Sequence, residues 1–117
     1  MKVPRPTDAA RALFDSLVPN DDRVEVKPMF GNVGAFVNGN MFMGVFGPDI
    51  GLRLSASDQQ ALRAAGGRAF GPVERPMSAY VSLPTAFTAE TAQPWVRRSL
   101  DYVGSLPPKA SKTVRQR

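Results

Sequence analysis

The sequence contains no cysteine and no histidine. These absences exclude thiol nucleophiles, disulfides, iron–sulfur clusters and the common kinds of zinc site. The absence of histidine also removes the side chain that titrates near neutral pH without help from its surroundings. A serine nucleophile would then need a lysine or the N-terminal amine as its base. We therefore expect no catalytic residue, no metal site and no cofactor.

Long apolar runs are also absent. No stretch approaches the roughly 18 apolar residues that a membrane span requires, and residues 1–6 lack the apolar segment of a secretion signal. We therefore expect a cytoplasmic protein that has no membrane partner.

The composition is that of one folded domain. The chain has 117 residues, of which 43% are hydrophobic, so it can bury a core without disulfides or metal. The net charge of +5 arises entirely in residues 97–117, since nine basic and nine acidic residues balance in residues 1–96. We predict a folded domain over residues 1–108 and a basic, disordered tail over residues 109–117.

The hydrophobic periodicity predicts the order α-β-β-β-β-α-β-α. The first helix covers residues 7–18 with Thr7 as its cap, and a β meander follows, in which Asn38-Gly39 is the signature of a tight hairpin. Ser55 begins a second helix that ends at Gly66-Gly67.

The C-terminal third is predicted to contain an irregular stretch over 68–77, a fifth strand over 79–83 and a last helix. We expect Thr91 to cap that helix, so that Pro94 falls in its first turn. Short connections favour an α+β fold, a two-layer sandwich with an antiparallel sheet of about five strands and helices on one face.

Two segments resemble the TfoX N-terminal domain. They are the run from Met29-Phe30-Gly31 through Asn38-Gly39 to Leu52-Arg53-Leu54, and the later Arg75-Pro76-Met77 with the helix ending near Pro107. Members of that family often have glycine where this chain has Asn32. The resemblance spans roughly residues 7–108 and implies a two-layer sandwich related in shape to secretion chaperones.

The best-known relatives are competence regulators that act with the cyclic-AMP receptor protein and carry a second, helical domain. Because this chain ends before such a domain could form, the resemblance implies the fold more than that role. It supplies no catalytic residue to carry over.

Large apolar residues occupy both alternating registers of the predicted hairpin. Simple alternation puts Met41, Met43 and Val45 on one face and Phe42 and Phe46 on the other. One interpretation is that they all belong to the core; the other is that the second face meets another subunit, as in a homodimer. The interaction candidates are Phe36, Met41, Phe42, Met43 and Phe46.

Basic residues near the C-terminus are candidates for nucleic-acid contact: Arg97, Arg98, Lys109, Lys112, Arg115 and Arg117. The tail lacks aromatic residues for stacking on bases, so any binding is expected to be weak and sequence-independent. Four phosphate contacts would give a salt slope of roughly −3.6 on duplex DNA. The alternative is a solvated end that binds nothing.

Three hypotheses follow for the function. The first is a non-enzymatic regulatory or protein-interaction domain, the second a nucleic-acid-associated protein that uses its basic end, and the third a small ligand-binding domain or enzyme with a site on the sheet. The acidic residues Asp21, Asp22 and Glu25 and the segment 31–34 have ordinary explanations as turn residues.

Overall fold

The computed structural model describes residues 4–29 and 31–109, which form three helices and one six-stranded sheet. The sheet has the order β1-β2-β3-β4-β6-β5, and every neighbouring pair is antiparallel. The strands are β1 Val24–Met29, β2 Asn32–Val37, β3 Asn40–Phe46, β4 Asp49–Arg53, β5 Arg68–Ala69 and β6 Tyr80–Ser82. The helices are α1 Asp8–Leu17, α2 Ala56–Ala64 and α3 Ala89–Gly104.

The predicted α+β sandwich is confirmed, with one additional strand. β5 lies in the stretch 68–77 that we predicted to be irregular. It has only two residues, both exposed, so it carries no alternating pattern that a sequence could reveal.

The predicted hairpin between β2 and β3 is confirmed at its turn. Asn38 and Gly39 have φ angles of 53° and 81°, the left-handed conformations that a two-residue hairpin turn requires.

The helix caps agree with the prediction at two helices and differ at the third. Thr7 accepts a hydrogen bond from the Ala10 N–H at 3.0 Å, and Ser55 accepts one from Asp58. The prediction of Thr91 as the cap of α3 is wrong, because Thr88 and Thr91 form a reciprocal capping box that starts the helix earlier. Pro94 is therefore the sixth residue of α3 and lies beyond its first turn.

The main core fills the space between the three helices and one face of the sheet. Phe14 and Leu17 of α1, Leu62 of α2 and Leu100 of α3 are at most 1% exposed. Ser99 fastens α3 to the sheet, since its buried hydroxyl lies 2.7 Å from the Phe42 carbonyl and 2.8 Å from the Arg53 carbonyl. The opposite face carries no helix in the part of the chain that the structure describes, and we call it the helix-free face.

A β-bulge in β3 changes which side chains share a face. Ala35 pairs with Met43, whereas the next residue of β2, Phe36, pairs with Met41, so β3 contains one extra residue. The simple alternation that we predicted is therefore wrong. Phe42 and Met43 both pack in the main core, whereas Met41 lies beside Phe36 on the helix-free face.

Candidate functional site

Three glycines lie side by side across the centre of the helix-free face. Gly34 of β2 pairs with Gly44 of β3, which pairs with Gly51 of β4. Because these residues have no side chains, the surface of the sheet is lowered along this row. We call it the glycine row.

Two large side chains lie directly on the glycine row. A Cβ atom at Gly34 would come within 2.7 Å of the Met41 sulfur, and one at Gly51 within 2.3 Å of the Phe70 ring. These separations are far too short for van der Waals contact, so a side chain at Gly51 would displace the rigid Phe70 ring and one at Gly34 would shift the flexible end of Met41. Met41 is 9% and Phe70 is 2% exposed, which makes them a small second core on this face.

The loop of residues 70–77, here called the cover loop, folds over one side of this face. The Met77 N–H donates to the Phe70 carbonyl at 2.9 Å and holds the two ends of the loop together. Between the cover loop and the sheet is a cleft of about 340 Å³. Its walls include Met29, Met41, Phe46, Phe70, Pro72 and Met77.

Two polar side chains adjoin the apolar walls of the cleft. The Asn32 amide is bonded at both ends, because its NH₂ donates to the Pro4 carbonyl at 3.0 Å and its oxygen accepts from the Gly47 N–H. Arg75 lies on the cover loop with its side chain exposed, and its guanidinium forms no ion pair with any residue that the structure describes. Arg75 is thus a free positive charge at the rim of an apolar cleft.

Beyond Phe70, the helix-free face carries a tyrosine and an arginine. The Tyr80 hydroxyl donates to the Met41 carbonyl at 2.9 Å. Burial raises the pKa of Tyr80 above its ordinary value, and the adjacent Arg53 partly opposes that shift. The Arg53 Nε is buried and has no hydrogen-bond partner among the described residues.

The predicted interaction residues divide between the two faces. Phe42 and Met43 are completely buried in the main core, so a partner cannot reach them in this fold. Phe36 and Phe46 are half-buried on the helix-free face, and Met41 lines the cleft beside Phe46. The Lys27 ammonium lies over the Phe36 ring, 4.4 Å from its centroid.

The predicted nucleic-acid residues within the described chain do not form one basic surface. Arg98 pairs with Asp58 at 3.3 Å and lies over the Trp95 ring. Arg97 is exposed and close enough to Asp21 to contribute to the low pKa of that carboxyl. The Lys109 N–H donates to the Asn38 carbonyl at 2.9 Å, and Lys112, Arg115 and Arg117 lie outside the described residues.

The acidic cluster near β1 has a structural partner. The side chain and backbone N–H of Arg23 donate to Asp21, and these bonds lower the pKa of Asp21 to about 2. Within residues 4–29 and 31–109, no three acidic side chains come together in a way that could hold a metal ion.

The sequence reasoning missed Phe70 and the glycine row. Phe70 lies in the stretch that we predicted to be irregular. Its structural role becomes visible only in the folded chain, where its ring packs on Gly51. The available signal was the glycines themselves, because a glycine inside a strand often marks a close approach by another group.

These features define a class: a small α+β domain with its helices on one face of the sheet and an apolar cleft on the other. The family model of the TfoX N-terminal domain matches residues 13–103. The chain therefore belongs to the TfoX N-terminal domain family, as its sequence motifs indicated. No curated protein and no solved structure matches the chain significantly. None of the helices in the described residues is long and apolar enough to cross a membrane.

Proposed function

We propose that this chain is a non-enzymatic regulatory domain of the cytoplasm that acts by protein association, and that its partner is a second copy of itself. The contact surface is the helix-free face around Phe36 and Phe46. The observation that carries this proposal is the incomplete burial of that face: Phe36, Phe46, Met29 and Met77 are only partly buried, although the main core is complete on the other side. Apolar surface of this kind commonly marks a contact site.

The charges beside Phe36 favour a second copy over a different partner. Glu25 and Lys27 are two residues apart on β1, so they lie on the same face of the sheet as Phe36 and Gly34, their partners in β2. A two-fold axis places identical patches against each other. Each Lys27 can then approach the other copy's Glu25, so the rim of the patch is self-complementary in charge.

The placement of the acidic groups supports a role without catalysis. Asp15, Asp21, Asp49 and Asp58 each form an ion pair with an arginine. These pairs lie at separate places on the surface, so the four paired carboxylates are not gathered into one site. Turnover in a broad screen of hydrolase and transferase substrates that is lost on changing Asp22, Lys27 or Arg53 would contradict this part of the proposal.

The test of self-association is sedimentation velocity at tens to hundreds of micromolar. We expect the unmodified chain to be a dimer and Phe36→Asp to be a monomer, because the new charge would be buried at the contact. Val26→Asp is the matched control, since Val26 lies on the neighbouring strand β1 and is 45% exposed but points to the opposite side of the sheet. A monomeric unmodified chain would rule out the proposal, and a dimer split only by Val26→Asp would move the contact away from this face.

A charge exchange tests the two-fold arrangement. Lys27→Glu alone should weaken the dimer. Each copy would then carry two acidic side chains at this rim, at positions 25 and 27, and they would repel the same two acidic side chains of the other copy. The double variant Glu25→Lys with Lys27→Glu should restore it, since each acid again meets a base. Failure of the double variant to recover would show that Glu25 and Lys27 do not meet across a two-fold axis.

A further inference from the structure

We propose that the cleft on the helix-free face is a binding site for a small amphipathic carboxylate, with its apolar chain between the cover loop and the Met41 and Phe70 side chains and its carboxylate on Arg75. This site adjoins the self-association surface proposed above, and Met29, Phe46 and Met77 belong to both. A ligand in the cleft and a partner on the face around Phe36 are measured by different experiments, so either proposal can fail alone.

The shape of the cleft is built by the sequence. The glycine row lowers the sheet surface, and Met41 and Phe70 lie across the row as a wall. The cover loop then closes the opposite side, because the bond between Met77 and Phe70 fixes both of its ends. The result is an open space of about 340 Å³, which is within the range of small-molecule sites.

The walls determine the chemistry of the ligand body. Three of the five methionines of the chain, Met29, Met41 and Met77, line the cleft together with Phe46 and Phe70. Unbranched methionine side chains adapt to the shape of an apolar guest. A space of about 340 Å³ is large enough for a medium-length alkyl chain.

The polar groups determine the chemistry of the ligand head. The Asn32 amide is neutral and is held by its bonds to Pro4 and Gly47, so it cannot balance the charge of an anionic head group. Arg75 is exposed at the rim, and none of the described residues neutralises it. A guanidinium binds a carboxylate through two parallel hydrogen bonds, so the complementary ligand has an apolar chain and one carboxylate.

Methyl NMR of methionine-labelled protein tests this site directly. Decanoate is the probe, used below the concentration at which it forms micelles. We expect saturable shifts of the Met29, Met41 and Met77 methyl signals. Met43 is the internal control, because it is fully buried in the main core on the other side of the sheet. Equal shifts of Met43, or shifts that do not saturate, would overturn the proposal by showing general detergent binding.

A pair of variants and an uncharged analogue test the head group. Arg75→Gln should weaken decanoate binding about three- to tenfold and leave the binding of decanol unchanged. Arg63→Gln is the control, since Arg63 is an exposed arginine at the end of α2, outside the cleft. Decanoate binding that is unaffected by Arg75→Gln would overturn the assignment of the carboxylate.

The Phe36→Asp variant, which is expected to be monomeric, separates this site from the dimer contact, because Phe36 does not line the cleft. Decanoate binding by that variant supports a ligand site within one chain. If decanoate fails to bind any form, and the same methionine signals shift only on dimerisation, then the cleft belongs to the protein contact and the ligand proposal is wrong.

Discussion

At the scale of single residues, the packing of the helix-free face depends on glycines, because their missing side chains leave room for Met41 and Phe70. Gly51 pairs with Gly44 on one side and with Ser82 of β6 on the other, so it lies in the middle of the sheet. Glycine weakens a strand because it adds no packing and loses more backbone entropy on folding. Its presence at the centre of a sheet is explained by the Phe70 ring, which occupies the space of the missing Cβ.

Replacing this glycine with alanine should therefore destabilise the fold. The new Cβ would lie 2.3 Å from the Phe70 ring, and we expect Gly51→Ala to lower the free energy of unfolding by about 1–3 kcal/mol through overpacking. Gly104→Ala is the control, because its Cβ would meet no atom closer than 3.4 Å. That change should stabilise the chain by about 0.4–1 kcal/mol through the unfolded state. Urea unfolding measures both, and equal stability of the two variants would contradict the role given to Phe70.

Local residue chemistry was also where the sequence was most informative. Thr7, Ser55 and Asn38-Gly39 act within three residues of their own positions, so their roles could be predicted without tertiary structure. Thr91 was mistaken for a cap because either threonine fits the pattern. Only the reciprocal bonds with Thr88 show where α3 begins.

At the scale of elements, β1 illustrates how an exposed edge can resist pairing. The Val24 N–H bonds to the Asp21 carbonyl at 3.0 Å rather than to β2. Alternate residues of an antiparallel strand point their backbone N–H and C=O groups to the same side. The backbone groups of Val26 and Pro28 therefore also point away from β2. Pro28 has no N–H, which leaves Val26 as the one member of this outward set with a free donor. Edge-to-edge pairing would thus gain few hydrogen bonds, which is why our proposal places the dimer contact on the face.

One buried hydroxyl, that of Ser99, adds to the apolar packing that attaches α3 to the sheet. Ser99→Ala would leave the Phe42 and Arg53 carbonyls without this donor, at an expected cost of about 1–3 kcal/mol in the free energy of unfolding. Ser105→Ala is the control: its hydroxyl donates to the Tyr102 carbonyl just beyond the same helix but is exposed, so its loss should cost less than about 0.5 kcal/mol. Thermal and urea unfolding should agree, and similar losses for both variants would show that Ser99 does not anchor the helix.

The β-bulge explains why the order of elements was predictable and the faces of β3 were not. The alternation of hydrophobic residues in the sequence identifies a strand, and a hairpin turn shows which strand pairs with it. A single inserted residue then reverses the orientation of every side chain beyond it. Phe42 is that residue, and it moved Met41 from its predicted place beside Met43 to the glycine row. The cleft, which depends on Met41 and Phe70, could therefore not be derived from alternation.

At the scale of the whole molecule, the distribution of charge distinguishes residues 1–96 from residues 97–117. Residues 1–96 are neutral overall, and the excess of five positive charges lies in residues 97–117. Within the described part of this region, Arg98 is paired with Asp58. Because Arg98 is already paired, the main candidates for contact with nucleic-acid phosphates are Lys112, Arg115 and Arg117.

Truncation after Lys109 tests the nucleic-acid alternative. If the chain binds duplex DNA, removing residues 110–117 should make the slope of log affinity against log salt less steep by about 2.7, since three phosphate contacts are lost. The thermal midpoint should stay nearly unchanged, because every core residue among those described precedes residue 107. The full-length triple variant Lys112→Gln, Arg115→Gln and Arg117→Gln controls for chain length and should reproduce the effect of truncation. DNA titrations at 50 and 200 mM salt make the comparison.

Full affinity after truncation would place the contact on the folded domain, where Arg97 is exposed. A sharp preference for one DNA sequence would contradict binding through phosphates alone.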